Sequence, residues 1–340
     1  MIPATTPARQ RPGSPWQREL AESITSPAAL LEAVGLDPAL LPAATSASQA
    51  FRLRVPRGFV ARMLHGDPAD PLLRQVLPVG EELRESPGFV SDPLAERNAF
   101  KAPGLLHKYH GRALLIATQA CAVNCRYCFR REFPYEDQTG PMALSQAMAA
   151  IAADPSLVEI ILSGGDPLAL SDSRLAAITD QLAGISHVRR LRVHTRTPVV
   201  LPSRVDAGLL AWIRGLPWPQ AWVLHINHAN EIDDAVRAAA AALRAAGVTL
   251  FNQTVLLKGV NDSVATLADL SCALFDAGIV PYYLHATDTV RGASHFHVPD
   301  AEAELLAGQL AARLSGYLVP RLVREIPHAA GKTPLTPRLP

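Results

Sequence analysis

The chain has 340 residues, of which 49% are hydrophobic and 19% are charged, enough for one large domain or two ordinary ones. Its 32 Lys and Arg residues balance 31 Asp and Glu residues, and the net charge of +1 excludes a basic field for nucleic acid or an anionic membrane. The sequence has no apolar run of the roughly 18 residues that a spanning helix needs, and no signal-peptide core near its N-terminus. We therefore expect a cytoplasmic protein whose four cysteines serve as metal ligands or reactive groups and not as disulfides.

The pattern of apolar residues divides the chain into three parts. Residues 1–15 predict a disordered arm, and residues 16–105 predict a helical region broken by prolines. Residues 106–340 form the predicted core, in which short apolar runs alternate with longer Ala- and Leu-rich runs. The predicted strands cover 113–118, 157–162, 188–194, 221–227, 248–254 and 280–286. The predicted helices cover 142–153, 171–184, 203–215, 232–246, 261–277 and 299–316.

Six successive βα units predict an α/β fold with a parallel barrel, complete or partial. An open dinucleotide-binding sheet is disfavoured because no G-x-G-x-x-G follows the first strand. Polar or glycine-rich segments follow every strand and the final extended run: CAVNCRYC, SGGDPL, HTRTP, NHANE, NQT, HATD and HAAGKTP. Because catalytic groups of parallel barrels gather at the carboxyl ends of the strands, we expect one composite active site there.

Three cysteines with the spacing C-x3-C-x2-C follow the first predicted strand: Cys121, Cys125 and Cys128. Thiolates suit zinc, copper(I) or iron–sulfur clusters, and a closed cluster usually takes four cysteines. The fourth cysteine, Cys272, lies in a predicted helix among apolar neighbours, and we expect it to be a buried small hydrophobe. A cluster held by three cysteines leaves one iron free for another ligand.

A zinc site is the alternative reading of the three cysteines, with His107 or His110 as the fourth ligand. Near the C-terminus, Lys332 lies in GKTPL after an apolar extended run. A lysine in a C-terminal tail is most often solvated, and Lys332 would then have no role. If Lys332 instead enters the barrel, its amine can form a Schiff base with pyridoxal phosphate (PLP).

The cysteine loop after the first strand and SGGDPL after the second resemble the radical S-adenosylmethionine (SAM) superfamily. LHKYHGRALLIATQACAVNCRYCFRREF, ILSGGDPL, TRTPVVLPSR, INHANE, NQTVLLKGVND, PYYLHATD and GKTPL occur in the order seen in lysine 2,3-aminomutases, over roughly residues 106–335. The compact length is most similar to the branch that makes β-lysine for modification of elongation factor P. The resemblance implies a partial (β/α)6 TIM-like radical SAM barrel with an N-terminal helical extension.

The resemblance also implies an isomerase that converts L-α-lysine to β-lysine, with (R)-β-lysine as the expected product. Its cofactors would be a [4Fe-4S] cluster, SAM and PLP. Cys121, Cys125 and Cys128 would hold the cluster, and Lys332 would hold PLP. The other roles that the resemblance assigns are PLP contacts (Arg112, Lys108 and Arg196), SAM contacts (Tyr127, Ser163, Gly164, Gly165, Asp166, His225, His228 and Gln253) and substrate contacts (Arg130, Asp288 and Glu325). Lys108 and Glu325 depart from the family pattern, which has arginine and aspartate at these positions.

The implied partners are an electron donor such as flavodoxin or ferredoxin, elongation factor P and its β-lysine ligase, and no nucleic acid or membrane. Homo-oligomerisation stays open. So do three other functions: an aminomutase for glutamate or arginine, a radical SAM enzyme without PLP, and a zinc-stabilised binding module. Arg130 as a solvated cation, His225 and His228 as core histidines, and Asp288 as a loop cap are the plain structural alternatives for those residues.

Overall fold

The computed structural model describes residues 13–338 and carries one continuous sheet. Its strands lie in chain order: β1 (Phe100–Ala102), β2 (Leu105–Tyr109), β3 (Arg112–Thr118), β4 (Glu159–Gly164), β5 (Arg190–Thr195), β6 (Gln220–Leu224), β7 (Val248–Val255), β8 (Val280–His285), β9 (Arg321–Arg324) and β10 (Thr333–Pro334). Strands β3 to β9 are parallel, and β1, β2 and β10 add antiparallel pairs at the two edges. The predicted partial barrel is confirmed.

Helices precede the sheet and connect its parallel strands. The N-terminal set is α1 (Pro15–Ala21), α2 (Pro27–Ala33), α3 (Leu41–Ala50), α4 (Arg57–Val60) and α5 (Pro71–Arg74). The connecting set is α6 (Pro141–Ala152), α7 (Asp172–Ala183), α8 (Thr197–Val200), α9 (Ala207–Gly215), α10 (Asp234–Ala245), α11 (Val264–Asp276) and α12 (Asp300–Arg313). None of the helices within the described part of the chain is long and apolar enough to cross a membrane.

The boundaries differ from the expected ones for local reasons. Residues 1–12 of the predicted arm lie outside the described residues, and α1 already begins at Pro15 behind the N-cap residue Ser14. The region expected to be helical up to residue 105 ends in strand β1 and the first residue of β2. Strand β6 ends at Leu224, earlier than expected. Beyond it, the side-chain amide of Asn252 in β7, and not the β7 backbone, bonds both the N–H and the C=O of Ile226.

The expectation for Cys272 is wrong, because its side chain is exposed on the outer face of α11. The buried face of α11 carries Leu267, Leu270, Ser271 and Leu274. With 3.6 residues per turn, Cys272 falls outside that stripe.

The N-terminal helices share a hydrophobic core with the cysteine loop. This core includes Phe59 and Leu73 from the helical region and Ala122 and Val123 from the loop. A separate core fills the space between the parallel sheet and the helices around it. The N-terminal region therefore packs directly on the segment that carries the predicted metal ligands.

Candidate functional site

The cysteine loop is fastened to the N-terminal region by hydrogen bonds to main-chain carbonyls of that region. The Asn124 N–H donates to the carbonyl of Arg54 at 2.9 Å, and the Asn124 amide Nδ2 donates to the carbonyl of Arg52 at 2.9 Å. One turn further along the loop, the Arg126 N–H donates to the carbonyl of Gln75 at 2.9 Å. These bonds fix the loop backbone on both sides of Cys125.

A buried ion cluster reinforces the same contact. Arg126 and Arg131 leave the loop and meet Glu82 of the N-terminal region, whose side chain is fully buried. Arg126 Nε lies 2.8 Å from Glu82 Oε1, and Arg131 Nη2 lies 2.9 Å from Glu82 Oε2. One carboxylate thus holds the two cations that flank Cys128.

The three cysteines of the loop are not disulfide-bonded. Burial raises the pKa of Cys128 to about 11, with the neighbouring Cys125 as the next cause. Burial also raises the pKa of Cys121, followed by the nearby Asp166 and the other two thiols. Thiols in this setting become thiolates when a metal centre supplies compensating charge.

A single zinc ion is the alternative reading of this loop. Within residues 13–338, no group of three or more His, Cys, Asp or Glu side chains converges as the ligands of one ion. His107, one candidate for the fourth zinc ligand, lies 3.9 Å from Asp154 through its Nδ1. A cluster needs its three thiolates on three different irons, so its ligands do not converge on one point.

The glycines of SGGDPL are required by close packing against the end of β3. Gly164 has φ +111°, and a Cβ there would lie 2.6 Å from the carbonyl oxygen of Thr118. A Cβ on Gly165 would lie 2.5 Å from the carbonyl oxygen of Ala120. The second strand end is thereby pressed onto the start of the cysteine loop, which the sequence alone did not reveal.

Asp166 joins the second and third strand ends. Its carboxylate accepts the Thr195 hydroxyl at 2.7 Å and the N–H groups of Arg196 and Thr197 at 2.8 and 2.9 Å. It also caps the short helical turn that begins at Pro167. These bonds give Asp166 a supporting role, and its contact with SAM stays a prediction.

Arg196 lies at the cysteine loop. Its Nη1 donates to Cys125 Sγ at 2.7 Å and to the Tyr127 hydroxyl at 2.8 Å. Its Nη2 pairs with Glu231 Oε2 at 2.9 Å, and Glu231 is itself completely buried. The expected contact of Arg196 with the PLP phosphate therefore stays a prediction, while the observed contacts are with the loop.

A row of alternating charges runs across the barrel from Arg130 to Lys332, and we call it the ion row. Its members are Arg130, Glu96, Lys108, Glu325 and Lys332. Glu96 binds the Nε–Nη2 edge of Arg130 at 2.7 and 2.9 Å and accepts from Lys108 at 3.0 Å. Glu325 accepts from Lys108 at 2.7 Å and from Lys332 at 3.0 Å.

The row fixes the orientation of Arg130. Its Nη1 donates to the carbonyl of Gly164 at 3.2 Å and to the Ser163 hydroxyl at 3.4 Å. Glu96 occupies one edge and Nη1 already has two acceptors, so a bidentate ligand carboxylate at the two Nη groups would have to displace the longer contact with Ser163. Arg130 is buried, so the alternative of a solvated cation is wrong.

The far end of the row holds Lys332 inside the protein. Its side chain is 20% exposed and its Nζ lies 5.6 Å from the centre of the Tyr283 ring. Burial alone would raise the pKa of Glu325. The ammonium groups of Lys332 and Lys108 outweigh burial and hold this pKa well below its usual range. The alternative of a freely solvated tail lysine is wrong.

A cavity of about 260 Å³ adjoins the row between β2 and the segment after β9. Lys108, Tyr109 and Glu325 line it. Arg112 lies next to this wall, with its guanidinium carbon 4.8 Å from the centre of the Tyr109 ring. Two of the residues expected at the PLP phosphate thus lie at the same seam of the sheet.

Asp288 follows β8 and faces Glu325 and Lys332. Burial, and next the negative charge of Glu325, raise the pKa of Asp288 to about 7, while Lys332 opposes the shift. An aspartate with this pKa gains from a cationic partner. The environment suits the predicted contact with a substrate ammonium group, which stays a prediction.

Three histidines line the space inside the barrel: His194, His225 and His285. Burial lowers the pKa of all three, that of His225 to about 3, so they are neutral at pH 7. Gln253 Nε2 donates to His225 Nε2 at 3.0 Å. Within the described residues, Nε2 of His194 and Nε2 of His285 are buried without a hydrogen-bond partner. Such groups are rare unless a bound molecule satisfies them.

His228 lies outside this lining. Its Nδ1 accepts the Asn230 N–H at 3.1 Å and caps the short turn that leads to Glu231. Its side chain is half-buried. The observed contact is that of a cap, and its role toward SAM stays a prediction.

Comparisons with known proteins identify the family of the chain. The sequence profile of the Radical SAM superfamily matches residues 115–270. The chain is 49% identical to the L-lysine 2,3-aminomutase of Escherichia coli (strain K12), over 98% of this chain and 97% of that protein. The L-lysine 2,3-aminomutase of Haemophilus influenzae is 45% identical over 94% of each chain, and that of Clostridium subterminale is 36% identical over 85% of this chain and 70% of that protein.

The chain belongs to the L-lysine 2,3-aminomutase family. The predicted family and the predicted radical SAM fold are confirmed. As an aminomutase the protein is an enzyme and an isomerase, so the zinc-stabilised binding module is excluded. Membership in the family implies a [4Fe-4S] cluster, SAM and PLP as its cofactors.

The aminomutase has residues that fit these groups. Three free cysteines lie on one fastened loop, as a cluster with one open iron requires. Lys332 reaches into a space where two histidine nitrogens have no partner within residues 13–338, as a site for a polar cofactor requires. Both fits rest on the donor sets of the aminomutase itself.

Sequence reasoning missed the acidic residues that organise this aminomutase site: Glu82, Glu96 and Glu231. Each is buried and pairs with an arginine distant in the sequence. The available signal was Glu231, the glutamate of the NHANE segment. Glu82 and Glu96 stand in a region that was predicted only as helical, and no local pattern marks them.

Proposed function

We propose that this protein is a PLP-dependent radical SAM aminomutase that converts L-α-lysine to (R)-β-lysine. The observation that carries the proposal is the ion pair of the partly buried Lys332 with Glu325 at the end of the ion row, beside Asp288. The L-lysine 2,3-aminomutases of Escherichia coli and Haemophilus influenzae, similar over more than nine-tenths of their lengths, support lysine as the substrate.

Each proposed cofactor supplies one part of the chemistry when bound. The cluster and SAM together supply a primary carbon radical that removes a hydrogen atom, and PLP supplies a carbonyl carbon to which the migrating amino group can be attached. The three cysteines would hold the cluster and leave one iron for SAM, and Lys332 would hold PLP covalently. Lys108 and Arg112 provide positive charge at the seam for the PLP phosphate.

The protein positions the substrate and keeps water out. Arg130, held by Glu96, would bind the substrate carboxylate through its Nη groups in place of the 3.4 Å contact with Ser163. Asp288 would bind the side-chain ammonium, and the gain of that cation favours its ionised form. Two fixed charges at the two ends of the substrate select an amino acid with a cationic side chain, because a site built for a charged partner rejects analogues without it.

Glu325 supports Lys332 in this proposal. Its two oxygens accept from Lys108 and Lys332, so the carboxylate keeps the two amines at the seam. A role of Glu325 in binding the substrate ammonium, which the resemblance implied, requires that one of these amines give up its bond. We infer that Asp288 makes the main contact with the substrate ammonium.

Borohydride trapping tests the use of PLP. The protein is reconstituted without oxygen with iron, sulfide and PLP, reduced with borohydride and mapped by mass spectrometry. We expect a pyridoxyl group on Lys332, its loss in Lys332→Ala, and its retention in Lys101→Ala, which removes an exposed lysine of β1. A reduced protein without pyridoxyl at Lys332 would exclude PLP dependence through this residue.

An anaerobic assay tests the substrate and the product. Lysine, glutamate and arginine are offered in parallel, and the β-amino acids are separated on a chiral phase. We expect (R)-β-lysine from lysine and turnover of glutamate and arginine that is at least about 10³-fold slower. Glutamate has no side-chain cation for Asp288, and arginine carries its cation on a longer side chain. Faster turnover of either alternative would replace lysine as the substrate.

We also propose that the β-lysine is used to modify elongation factor P through its β-lysine ligase. Support comes from size, because the chain spans 97% of the compact Escherichia coli relative but 70% of the longer one from Clostridium subterminale. In a strain from which the gene for this protein is deleted, we expect elongation factor P to lack the mass of the modification. Added β-lysine should restore that mass. An unchanged mass in the deletion strain would separate the enzyme from that pathway. A low-potential donor such as flavodoxin or ferredoxin would supply the electron.

A further inference from the structure

The guanidinium group of Arg196 joins the N-terminal region to the cysteine loop. On one side, Nη2 donates to Gln75 Oε1 at 2.6 Å and to Glu231 Oε2 at 2.9 Å. On the other side, Nη1 donates to Cys125 Sγ at 2.7 Å and to the Tyr127 hydroxyl at 2.8 Å. Both Nη groups are therefore in use at the loop.

The orientation of Arg196 is fixed from several directions. Its guanidinium carbon lies 5.5 Å from the centre of the Phe59 ring and 5.8 Å from that of the Tyr127 ring. Its main-chain N–H is bound by Asp166, and the residue as a whole is 6% exposed. A buried cation held by two acceptors, two rings and its own backbone has little freedom to leave Cys125.

We propose that Arg196 is a positioning residue that donates a charge-assisted hydrogen bond to the Cys125 thiolate and thereby raises the reduction potential of the iron–sulfur cluster. The inference rests on the proposed binding of the cluster by Cys125. Hydrogen bonds to cluster sulfurs withdraw electron density, and a nearby positive charge favours the more negative, reduced cluster. Both effects act in the same direction.

The electron balance of the step is simple. The cluster gains one electron from an external low-potential reductant, which is dithionite in the experiment below, and its charge becomes more negative by one unit. No proton is transferred, because a guanidinium group keeps its proton in proteins. Arg196 remains a donor in both states, and its bond to sulfur is stronger in the reduced state.

The same geometry gives the N-terminal region a role in the chemistry. Gln75 and Phe59 belong to that region and fix Arg196 from the side opposite the cysteines. Within residues 13–338, Nε of Arg196 is buried without a partner, so one donor stays available to a group bound beside the loop. The helical region therefore positions a residue that tunes the metal centre.

A redox titration of Arg196→Gln tests the proposal. Wild type and variant are reconstituted without oxygen, matched for iron and sulfide, and titrated with dithionite in the absence of SAM, with the reduced cluster followed by electron paramagnetic resonance. We expect a more negative midpoint potential in Arg196→Gln and a smaller shift in Arg196→Lys, which keeps the charge. A fully loaded Arg196→Gln with the wild-type potential would overturn the proposal.

Arg204→Gln is the matched control. Arg204 is another fully buried arginine, but it donates to the carbonyls of Leu168 and Leu170. Its replacement tests the general cost of losing a buried guanidinium group, and we expect the wild-type midpoint potential from its loaded cluster. An equal shift in this control would also overturn the proposal.

If Arg196→Gln does not assemble a cluster, a second measurement on the wild-type protein tests the proposal. Wild-type protein labelled with ¹⁵N in the arginine Nη atoms is reduced and analysed by pulsed electron paramagnetic resonance. We expect a ¹⁵N coupling to the cluster, and its absence would refute the bond to sulfur. A wild-type protein that binds no iron and sulfide would instead refute the proposed function.

Discussion

Replacement of Glu82 by glutamine should destabilise the protein by about 3–5 kcal/mol, because it removes the negative charge that pairs with two buried arginines of one loop. The fully buried carboxylate accepts Arg126 Nε at 2.8 Å, Arg126 Nη2, Arg131 Nη2 at 2.9 Å and the Val79 N–H at 3.0 Å. Glutamine keeps one acceptor oxygen, and a hydrogen bond to a charged group contributes about 1.5–3 kcal/mol. We therefore expect the free energy of unfolding to fall by about 3 kcal/mol, the lower end of the range for a broken buried ion pair.

Urea unfolding of the metal-free protein measures this loss. Glu304→Gln serves as the control, because Glu304 pairs with Arg338 at 2.7 Å on the surface, where the arginine side chain is 64% exposed. Such a pair contributes about 0–1 kcal/mol. If Glu82→Gln and Glu304→Gln lower the free energy of unfolding equally, the cysteine loop is not held by this ion cluster and the reasoning fails.

Three further outcomes follow from other contacts. Gly164→Ala should lower the free energy of unfolding by about 1–3 kcal/mol in urea, from φ +111° and a 2.6 Å contact, while Gly316→Ala, with nothing within 4 Å, should change it little. Equal effects would contradict the packing argument. Asp288 has a folded pKa raised from 3.8 to about 7, so its ionisation should cost the wild type stability as pH rises through this window. The loss between pH 5 and pH 8 should be smaller in Asp288→Asn, and an identical pH profile would contradict the shift. Lys108→Met and Glu325→Gln should be non-additive by about 0.5–3 kcal/mol in a double-mutant cycle, whereas additivity would mean that their 2.7 Å contact contributes nothing.

The parallel strands and the cysteine loop were predictable because each depends on residues that lie close together in the sequence. Alternating apolar runs mark strands and helices, and the three thiols lie within eight residues of one another. The buried partners were not predictable in this way. Glu96 meets Arg130 across 34 residues, from a short turn behind Ala95 with φ 49° that no motif announces.

Hydrophobic periodicity also does not predict where a side chain replaces the backbone as a strand's hydrogen-bond partner. The early end of β6 depends on the amide of Asn252, which lies 26 residues from Ile226. The exposed position of Cys272 depends on the phase of α11, which the apolar composition of that helix left open. Composition predicts that an element is buried, but the orientation of one side chain requires its packing partners.

The ion row has an odd number of members, three cations and two anions, and it ends in a cation. The cations therefore exceed the anions by one, and the charge of Lys332 at the end of the row can vanish while every remaining charge keeps an opposite neighbour. Covalent capture of its amine would leave Arg130 with Glu96 and Lys108 with Glu325, a neutral remainder with no stranded ion. The reacting amine would therefore take with it only the surplus positive charge of the row.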